Sequence, residues 1–268
     1  MQPMLNTAIS AAHQAGDLIL RGLDHLEDLT LTEKSKHNYV TEIDQASEEI
    51  IIKALRKAYP EHGILAEESG LHAGVGEGDE YQWIIDPLDG TTNFIHGYPH
   101  FCVSIALKYR GRIEHGVIYD PRKNDTYCAS RGRGAQLNNR RMRISKRTQL
   151  DEAMVGAALP MSAAHYRDQY LAAMRHLLEN TRSIRIAGAA ALDLAYLASG
   201  QLDAYWSINL KPWDIAAGML LVKEAGGMIM DYRGNENVLE DGNIIAGNIK
   251  LVKALLQNLK PYLPKELL

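Results

Sequence analysis

The sequence has few of the residues that mark specialised classes of protein. Its 268 residues include only two cysteines, Cys102 and Cys128, which are too few for a disulfide framework. Neither has cysteine or histidine neighbours at the spacing of a zinc site, so both are expected to be buried thiols in a reducing compartment. The formal net charge is only −4, which gives no overall field that would favour nucleic acid or a membrane surface.

Long apolar runs are missing as well. No stretch approaches the roughly eighteen apolar residues of a membrane-spanning helix. Residues 1–20 contain no basic leader followed by a continuous apolar core. Apolar residues make up 46% of the chain, which is typical of a globular protein with a core. We therefore expect a cytoplasmic protein with no membrane partner, built as one domain over residues 1–268 with halves at about 1–150 and 151–268.

The pattern of the first half predicts helices followed by a sheet. Apolar residues recur at helical spacing over residues 4–20, which predicts an amphipathic helix. Thr41 and Asp44 form a capping-box pattern at the start of a second helix. Strand-like segments then follow from residue 63 to about residue 145 and favour a mostly antiparallel sheet, interrupted by a polar, glycine-rich loop at residues 71–80. Asn138 and Asn139 suit a tight hairpin turn within this sheet.

The second half alternates strand-like and helix-like segments. Short strands are predicted in "AMVGAAL", "SIRI", "DAYWS", "MIMDY" and "IIAGN". Helices are predicted at residues 164–178, 188–200, 211–227 and 250–259. Alternation of this kind implies layered α/β architecture.

Acidic residues follow an apolar run in the segment "WIIDPLDGTTNF". Asp86 comes directly after the run, where Pro87 is expected to end the strand, and Asp89 follows three residues later. Two carboxylates this close raise each other's pKa unless a cation lies between them. Aspartate, proline and glycine also dominate ordinary turns, so a solvated turn explains the pattern equally well.

Glu67 and Asp214 extend this acidic pattern. Glu67 follows the apolar segment 63–66, and Asp214 stands at the start of a predicted helix, where helix capping also explains it. If a short helix begins after Gly90, its free N–H groups form an anion site beside the acids. Carboxylates next to such N–H groups are expected where Mg²⁺ and a phosphate meet, because Mg²⁺ is often shared between carboxylates and a substrate phosphate.

The sequence as a whole resembles the inositol monophosphatase family. Residues 83–94 match the first signature of that family, and "WDIAAG" at residues 213–218, followed by "EAGG", matches the second. The resemblance covers essentially the whole chain and is closest to bacterial inositol-1-monophosphatases. It implies an α/β fold arranged as a five-layer α/β/α/β/α sandwich, and a phosphomonoesterase that depends on two or three Mg²⁺ ions.

The resemblance also implies a metal ligand set. Glu67, Asp86 and the backbone carbonyl of Leu88 would hold a first ion. Asp86, Asp89 and Asp214 would hold a second, with Asp86 bridging the two at the catalytic centre. Such ions explain why the chain tolerates close acids.

Catalytic and substrate-binding roles are implied in the same way. Thr91, together with Glu67, would orient and activate the attacking water. The N–H groups of Gly90 and Thr91 would receive the phosphate, and Gly188 and Ala190 would line the substrate pocket.

The sequence departs from the family pattern in two regions. Asn38 stands where the pattern has an aspartate, in a segment that also contains Lys34 and Asp44 and lies near the metals in the family. Asp44 keeps its place, which fits a peripheral or third-metal role and fits helix capping equally well. Ser207 stands where the family commonly has a glutamate that binds inositol hydroxyls, and Ala158 replaces a glycine, so weak selectivity for inositol is expected.

Several partners follow from the resemblance. The family is usually dimeric, and some bacterial members also take part in ribosomal RNA transcription antitermination with Nus factors and RNA polymerase. An arginine-rich segment is expected either to be a solvated hairpin surface or to contact RNA or protein; it contains Arg131, Arg133, Arg140, Arg141 and Arg143.

The leading hypothesis is a Mg²⁺-dependent phosphatase of myo-inositol 1-phosphate and similar polyol phosphates. Phosphatases of fructose 1,6-bisphosphate, histidinol phosphate or 3′-phosphoadenosine 5′-phosphate are alternatives within the same chemistry. A binding protein of the transcription machinery, with secondary catalysis, is the alternative from another class.

Overall fold

The computed structural model describes residues 3–28, 31–35, 38–158 and 166–268. The helices in this part of the chain are α1 (Pro3–Leu23), α2 (Glu42–Ala58), α3 (Thr91–Ile95), α4 (Arg167–Asn180), α5 (Ala190–Ala198), α6 (Pro212–Glu224), α7 (Val238–Asp241) and α8 (Ile249–Leu259). The strands are β1 (Leu31–Ser35), β2 (Asn38–Thr41), β3 (Gly63–Ala66), β4 (Gly70–His72), β5 (Tyr81–Asp89), β6 (Cys102–Tyr109), β7 (Arg112–Asp120), β8 (Asp125–Ser130), β9 (Ala135–Leu137), β10 (Arg140–Arg141), β11 (Met154–Ala157), β12 (Ser183–Arg185), β13 (Ala204–Ser207), β14 (Met228–Met230) and β15 (Ile244–Gly247).

Two sheets contain most of the strands. The larger sheet has the strand order β10-β9-β8-β7-β6-β5-β3-β4, and the smaller sheet has the order β12-β11-β13-β15-β14. In the larger sheet, β3 and β5 run parallel to each other. The other neighbouring pairs described in that sheet run antiparallel. The predicted sheet is therefore confirmed as mostly antiparallel, with one parallel pair that the sequence does not reveal.

Helices and sheets stack in five layers. Helices α1 and α2 pack on one face of the larger sheet, and α5 and α6 pack between the two sheets. Helices α4 and α8 cover the outer face of the smaller sheet. Three clusters of buried apolar side chains fill the spaces between the layers. The predicted five-layer α/β/α/β/α sandwich is confirmed, whereas the division into halves near residue 150 stays a prediction.

The two N-terminal helices follow their sequence patterns closely. Helix α1 buries Ala8, Ala12 and Ile19 at helical spacing against the larger sheet. At the start of α2 the Thr41 hydroxyl accepts the Asp44 N–H at 3.4 Å, and the Asp44 carboxylate accepts the Thr41 N–H at 2.8 Å. The predicted capping box is therefore confirmed.

The predicted Asn-Asn hairpin turn is confirmed as well. Asn138 and Asn139 have φ values of 49° and 64° and connect β9 to β10. A two-residue hairpin turn of type I′ requires positive φ at both of its central residues.

Some elements differ from the prediction. Residues 71–80 are not simply a loop, because β4 pairs with the edge of β3 and a 3₁₀ turn covers Gly76–Glu80. The β1–β2 hairpin was not predicted either. The helix predicted from residue 164 begins at Arg167, and residues 159–165 lie outside the described residues. Elements of three to five residues are too short to show a clear hydrophobic period, which explains these misses.

Two further observations concern the cysteines and the long apolar helices that the sequence lacks. Cys102 and Cys128 are both free and buried, as predicted. Over the described ranges, no helix is both long enough and apolar enough to cross a membrane.

Candidate active site

Glu67 and Asp86 lie side by side because β3 and β5 are parallel neighbours. Ala66 pairs with Ile85 in this ladder, and the Glu67 N–H extends the ladder by donating to the Ile85 carbonyl at 3.1 Å. Glu67 follows Ala66 and Asp86 follows Ile85, so an acid comes directly after each residue of the pair. One edge of the sheet therefore carries two carboxylates, as expected where parallel strands end together.

A bulge in β5 sets the relative direction of Asp86 and Asp89. Asp86 pairs with Ser104 on β6 and Asp89 pairs with Cys102, so three steps along β5 oppose two steps along β6. Residues three apart on a regular strand face opposite ways, and one extra residue reverses that alternation. Pro87 lies in the bulge, where a proline is tolerated. The prediction that the strand ends at Asp86 is wrong, because β5 continues to Asp89.

Gly90 turns the chain from β5 into α3. Its φ is +97°, and a Cβ atom there would stand 2.9 Å from the His100 carbonyl oxygen, so a larger residue does not fit. The short helix α3 begins at Thr91, directly after Gly90, and the N–H groups of a first helical turn have no partner inside the helix. Phosphate binding by the N–H groups of Gly90 and Thr91 stays a prediction.

Asp214 reaches the same place from the second half of the chain. It lies in the first turn of α6 and accepts a hydrogen bond from the Lys211 N–H at 2.7 Å. The Ser104 hydroxyl donates to the neighbouring Trp213 carbonyl at 3.2 Å, and Ser104 is the ladder partner of Asp86. The start of α6 is thereby tied beside Asp86, and the charge of Asp214 is among the causes that raise the pKa of Asp86.

Asp89 caps helix α5, which packs between the two sheets. Its Oδ2 atom accepts the Ala191 N–H at 2.7 Å in the first turn of α5. The N-cap residue Ala189 has no side-chain acceptor of its own, so the Asp89 carboxylate satisfies this helix end. The segment with Gly188 and Ala190, which is predicted to line the substrate pocket, is held next to Asp89 as a result.

The acids perturb one another strongly. Burial raises the pKa of Asp86 well above its ordinary value, and the carboxylates of Glu67, Asp89 and Asp214 raise it further. Burial likewise raises the pKa of Asp89 to about 7, although the hydrogen bond from the Ala191 N–H lowers that pKa. Burial and the Asp89 charge raise the pKa of Asp214 to about 7. The four predicted acids therefore form one electrostatically coupled group.

The chemistry of this group fits a hard cation. The side chains of this group offer only oxygen atoms, which Mg²⁺ prefers as ligands. A divalent ion would also offset the repulsion between the carboxylates that raises their pKa values. In the part of the chain that is described, however, no group of three or more His, Cys, Asp or Glu side chains is arranged as a metal centre. Three of the acids instead direct an oxygen at a backbone N–H group. Metal binding therefore requires these carboxylates to shift or share those contacts.

Asp44 has a second partner that its capping pattern does not reveal. One carboxylate oxygen accepts the N–H and the hydroxyl of Thr41, at 2.8 and 2.6 Å, while the other accepts the Thr91 hydroxyl at 2.7 Å. The Thr91 hydroxyl also lies 3.2 Å from the Leu88 carbonyl oxygen. With its proton directed at Asp44, the Thr91 oxygen keeps lone pairs that can accept a hydrogen bond from water. A third-metal role for Asp44 stays a prediction.

Asn93 joins the predicted pocket segment to α3. Its side-chain amide donates to the His100 carbonyl at 2.6 Å and to the Ala187 carbonyl at 2.8 Å. Gly188 has a φ of +87°, and a Cβ atom there would stand 3.1 Å from the Asn93 amide nitrogen. Asn93 received no role from the sequence, although it lies within the first signature.

Ser207 does not line an open surface in this structure. Its side chain is 0% exposed, and its hydroxyl has no hydrogen-bond partner among the described residues. Its carbonyl accepts the Tyr232 hydroxyl at 2.7 Å. A substrate contact through Ser207 stays a prediction, and it requires the surrounding chain to move.

For the remaining residues singled out by the sequence, the structure shows other contacts, shows exposure or does not describe the side chain. The side chains of Lys34 and Asn38 lie outside the described part of the structure. The Ala158 carbonyl accepts the Tyr170 hydroxyl at 2.5 Å. The arginines of the segment 131–143 are all exposed, as expected for a hairpin surface.

Comparison with known proteins agrees with this fold. The model of the inositol monophosphatase family matches residues 1–263. The chain therefore belongs to the inositol monophosphatase family.

Individual relatives cover nearly the whole chain. Nus factor SuhB of Pseudomonas aeruginosa is 53% identical over 269 residues, which span 100% of this chain and 99% of that protein. The inositol monophosphatase of an Anabaena (Nostoc) species has a TM-score of 0.83 at 36% identity, covering 98% of this chain and 97% of that one. A staphylococcal inositol monophosphatase-1, solved as a LiCl-soaked inhibitory complex, has a TM-score of 0.77 at 26% identity, covering 90% of this chain and 89% of that one.

The raised pKa values predict how pH affects the stability of the metal-free protein. The pKa of Asp89 and Asp214 is about 7 in the folded protein and about 3.9 in the unfolded chain, so the folded state binds protons more tightly. Their contribution to the free energy of unfolding is full below pH 3.9 and is lost as the pH rises through 7. In EDTA we expect a Tm several degrees lower at pH 8 than at pH 6, since about 1 kcal/mol moves Tm by about 2–4 °C in chains of 150–250 residues.

Thermal unfolding with and without Mg²⁺ at both pH values measures this effect. Mg²⁺ should raise Tm more at pH 8, where the acids are ionised, than at pH 6. An equal Mg²⁺ effect at the two pH values would show that these acids are not where the metal binds.

Proposed function

We propose that this protein is a Mg²⁺-dependent phosphomonoesterase that hydrolyses myo-inositol 1-phosphate and similar small polyol phosphates. The observation that carries the proposal is that the carboxylates of Glu67, Asp89 and Asp214 lie close enough to Asp86 to raise its pKa. The Thr91 hydroxyl lies 3.2 Å from the carbonyl oxygen of Leu88, two residues after Asp86. Membership of the inositol monophosphatase family supports the same reaction class.

The proposed ligand sets are those that the family resemblance implies. Glu67, Asp86 and the Leu88 carbonyl would hold one Mg²⁺, and Asp86, Asp89 and Asp214 would hold a second. When bound, such a pair of divalent ions would supply activation of a water, neutralisation of phosphate charge and stabilisation of the leaving oxygen. A third ion near Asp44 is part of the proposal.

The chain itself contributes orientation. Thr91, held by Asp44, accepts a hydrogen bond from the attacking water and fixes its position, with Glu67 as the second acceptor. The N–H groups of Gly90 and Thr91 receive phosphate oxygens at the start of α3. Most of the rate enhancement then comes from positioning and electrostatic stabilisation.

A covalent intermediate on the chain is not needed. The nearest thiol is Cys102, whose Sγ lies 3.8 Å from Asp89 Oδ2. Burial raises the pKa of this thiol well above its ordinary value, and the charges of Asp89 and Asp86 raise it further. A thiol in this state is a poor nucleophile, which supports the proposal that water is the attacking group.

A panel of phosphate-release assays tests the proposal. The substrates are myo-inositol 1-phosphate, 2-glycerophosphate, fructose 1,6-bisphosphate, histidinol phosphate and 3′-phosphoadenosine 5′-phosphate, each with Mg²⁺ and with EDTA. We expect Mg²⁺-dependent release, fastest from the inositol ester but by a modest ratio over 2-glycerophosphate, because Ser207 supplies no charged group for the hydroxyls. Preference for one of the last three substrates would reassign the substrate, and no release from any would refute the phosphatase.

Lithium inhibition is a further expected result. A staphylococcal relative was solved as a LiCl-soaked inhibitory complex, and we propose that lithium takes a magnesium position among the four acids here too. Millimolar-scale lithium should lower turnover in steady-state assays, and added Mg²⁺ should not simply abolish the effect. Turnover that is indifferent to lithium over a full titration would show a different metal site.

A second candidate function is a role in transcription antitermination with Nus factors and RNA polymerase. The relative from Pseudomonas aeruginosa, 53% identical over the whole chain, is a Nus factor. If both functions reside here, we expect them to use different surfaces, since the acids lie in the site and the arginines of segment 131–143 are exposed.

Separation of the two functions is testable. Asp89→Asn should lose phosphatase activity yet co-purify with Nus factors and RNA polymerase from extract as well as the wild type does. The matched variant with Arg140 and Arg141 changed to Ala should keep phosphatase activity. Loss of partners in a folded Asp89→Asn protein would contradict separate surfaces.

Assembly and location complete the proposal. We propose a cytoplasmic homodimer, by analogy with the family and because both cysteines are free and buried. Sedimentation of the purified chain tests the dimer directly.

A further inference from the structure

Three polar residues on one face of α2 contact three different segments of the candidate site. Asp44, Ser47 and Glu48 follow the i, i+3, i+4 spacing that places side chains on one side of a helix. All three are buried, with exposures of 2%, 0% and 3%. The contact of Asp44 with Thr91 is part of the proposed function, but Ser47 and Glu48 have no role in it so far.

Glu48 binds the turn that carries Glu67. Its Oε2 atom accepts the Glu68 N–H at 2.8 Å and its Oε1 atom accepts the Ser69 N–H at 2.8 Å. These are the two residues directly after Glu67, whose own N–H donates to the Ile85 carbonyl. Three successive N–H groups are thereby fixed, which sets the position from which the Glu67 side chain projects.

Ser47 acts in the same way on the neighbouring segment. Its hydroxyl donates to the Pro87 carbonyl at 2.8 Å, inside the bulge that separates Asp86 from Leu88. The helix therefore contacts both segments that supply the proposed first metal position.

We propose that Glu48, assisted by Ser47, is a positioning residue that sets the distance between Glu67 and the Asp86–Leu88 segment and so determines metal affinity. This inference rests on the proposed function, because it assumes that those residues bind the metal. A carboxylate suits the task because each of its two oxygens accepts one of the two adjacent N–H groups and neither oxygen carries a competing donor.

The elements that Glu48 joins are also held by other contacts. Helix α2 is anchored by Ile51 and Leu55, which are both 0% exposed. Strand β3 is paired with β4 on one side and with β5 on the other. A variant that loses only the Glu48 contacts should therefore fold with a displaced turn rather than unfold.

The test compares Glu48→Gln with the wild type. Glutamine keeps the shape but places an NH₂ group against one of the two N–H donors, so one contact becomes repulsive. Glu49→Gln, the exposed neighbour on the same helix, is the matched control. Binding of Mn²⁺ as the probe ion, counted by electron paramagnetic resonance, gives a readout that needs no substrate, and hydrogen exchange reports on the Glu68 and Ser69 amides.

We expect Glu48→Gln to weaken Mn²⁺ binding about 10- to 100-fold, the range usual for residues that orient metal ligands. Exchange at Glu68 and Ser69 should speed up, and saturating Mg²⁺ should restore much of kcat with little change in KM. Ser47→Ala should weaken Mn²⁺ binding in the same direction by less, and Glu49→Gln should match the wild type.

Unchanged Mn²⁺ affinity in Glu48→Gln would overturn the inference, even if Tm falls, because the residue would then be only structural. If Glu48→Gln does not fold, unchanged Mn²⁺ affinity in Ser47→Ala overturns it instead. A wild-type protein that binds no Mn²⁺ would refute the proposed function itself, which is a different result from either.

Discussion

Asp86→Asn is expected to abolish Mg²⁺-dependent phosphate release while leaving the fold intact. Asp86 belongs to both proposed metal positions, so an amide there removes a charged ligand from two ions at once. We expect kcat to fall at least about 10³-fold, which corresponds to about 4 kcal/mol of transition-state stabilisation. In EDTA at pH 8 the variant should unfold at the same or a higher temperature than the wild type, because one of several repelling, buried carboxylates is gone.

Asp203→Asn is the matched control for this experiment. Asp203 is also buried, at 3% exposure, but its carboxylate is satisfied by the Met154 N–H at 2.7 Å and by Arg147 at 3.1 Å. Its amide variant should lose stability and keep activity, the opposite of Asp86→Asn. Wild-type turnover in Asp86→Asn would rule out the bridging assignment.

Thr91→Val is expected to lose turnover without losing metal. Valine keeps the volume of threonine but removes the oxygen that accepts a hydrogen bond from the attacking water and that donates to Asp44. Positioned proton acceptors contribute about 10²–10⁴-fold to a rate, so kcat should fall by at least about 10²-fold. Mn²⁺ affinity should stay close to that of the wild type, because the Thr91 side chain is not one of the proposed ligands.

Three further variants make the Thr91 result specific. Thr91→Ser, which keeps the hydroxyl, should retain most of the activity, and Thr92→Val changes an exposed neighbour and should have no effect. Asp44→Asn should lower kcat as well, since it weakens the contact that orients the Thr91 hydroxyl. Full activity in Thr91→Val would remove Thr91 from the mechanism.

The candidate acids were predictable from the sequence, but their geometry was not. The spacing of Asp86 and Asp89 suggests a pair of carboxylates, yet on a regular strand these residues would face opposite ways. The bulge that changes this depends on the register with Ser104 and Cys102 on β6, and no local pattern encodes that register. Pro87 marks the irregularity, which the sequence alone could not distinguish from the end of the strand.

Contacts between segments that are distant in the sequence could not be predicted either. The capping pattern of Asp44 correctly predicts the start of α2, but the second oxygen of Asp44 reaches Thr91, which lies far along the chain. Glu48 looks like an ordinary helix glutamate, because its partners are backbone N–H groups that carry no sequence pattern. Ser207 shows the reverse case, since the resemblance places it in the substrate pocket and the structure buries it.

A count of Mn²⁺ ions bound per chain, as a function of free ion concentration, tests the central claim most directly. If Glu67, Asp86, Asp89 and Asp214 form one metal centre, the wild-type protein should bind at least two ions. Asp86→Asn should bind neither of them in the same concentration range. Fewer than two ions on the wild type, or unchanged binding in Asp86→Asn, would contradict it.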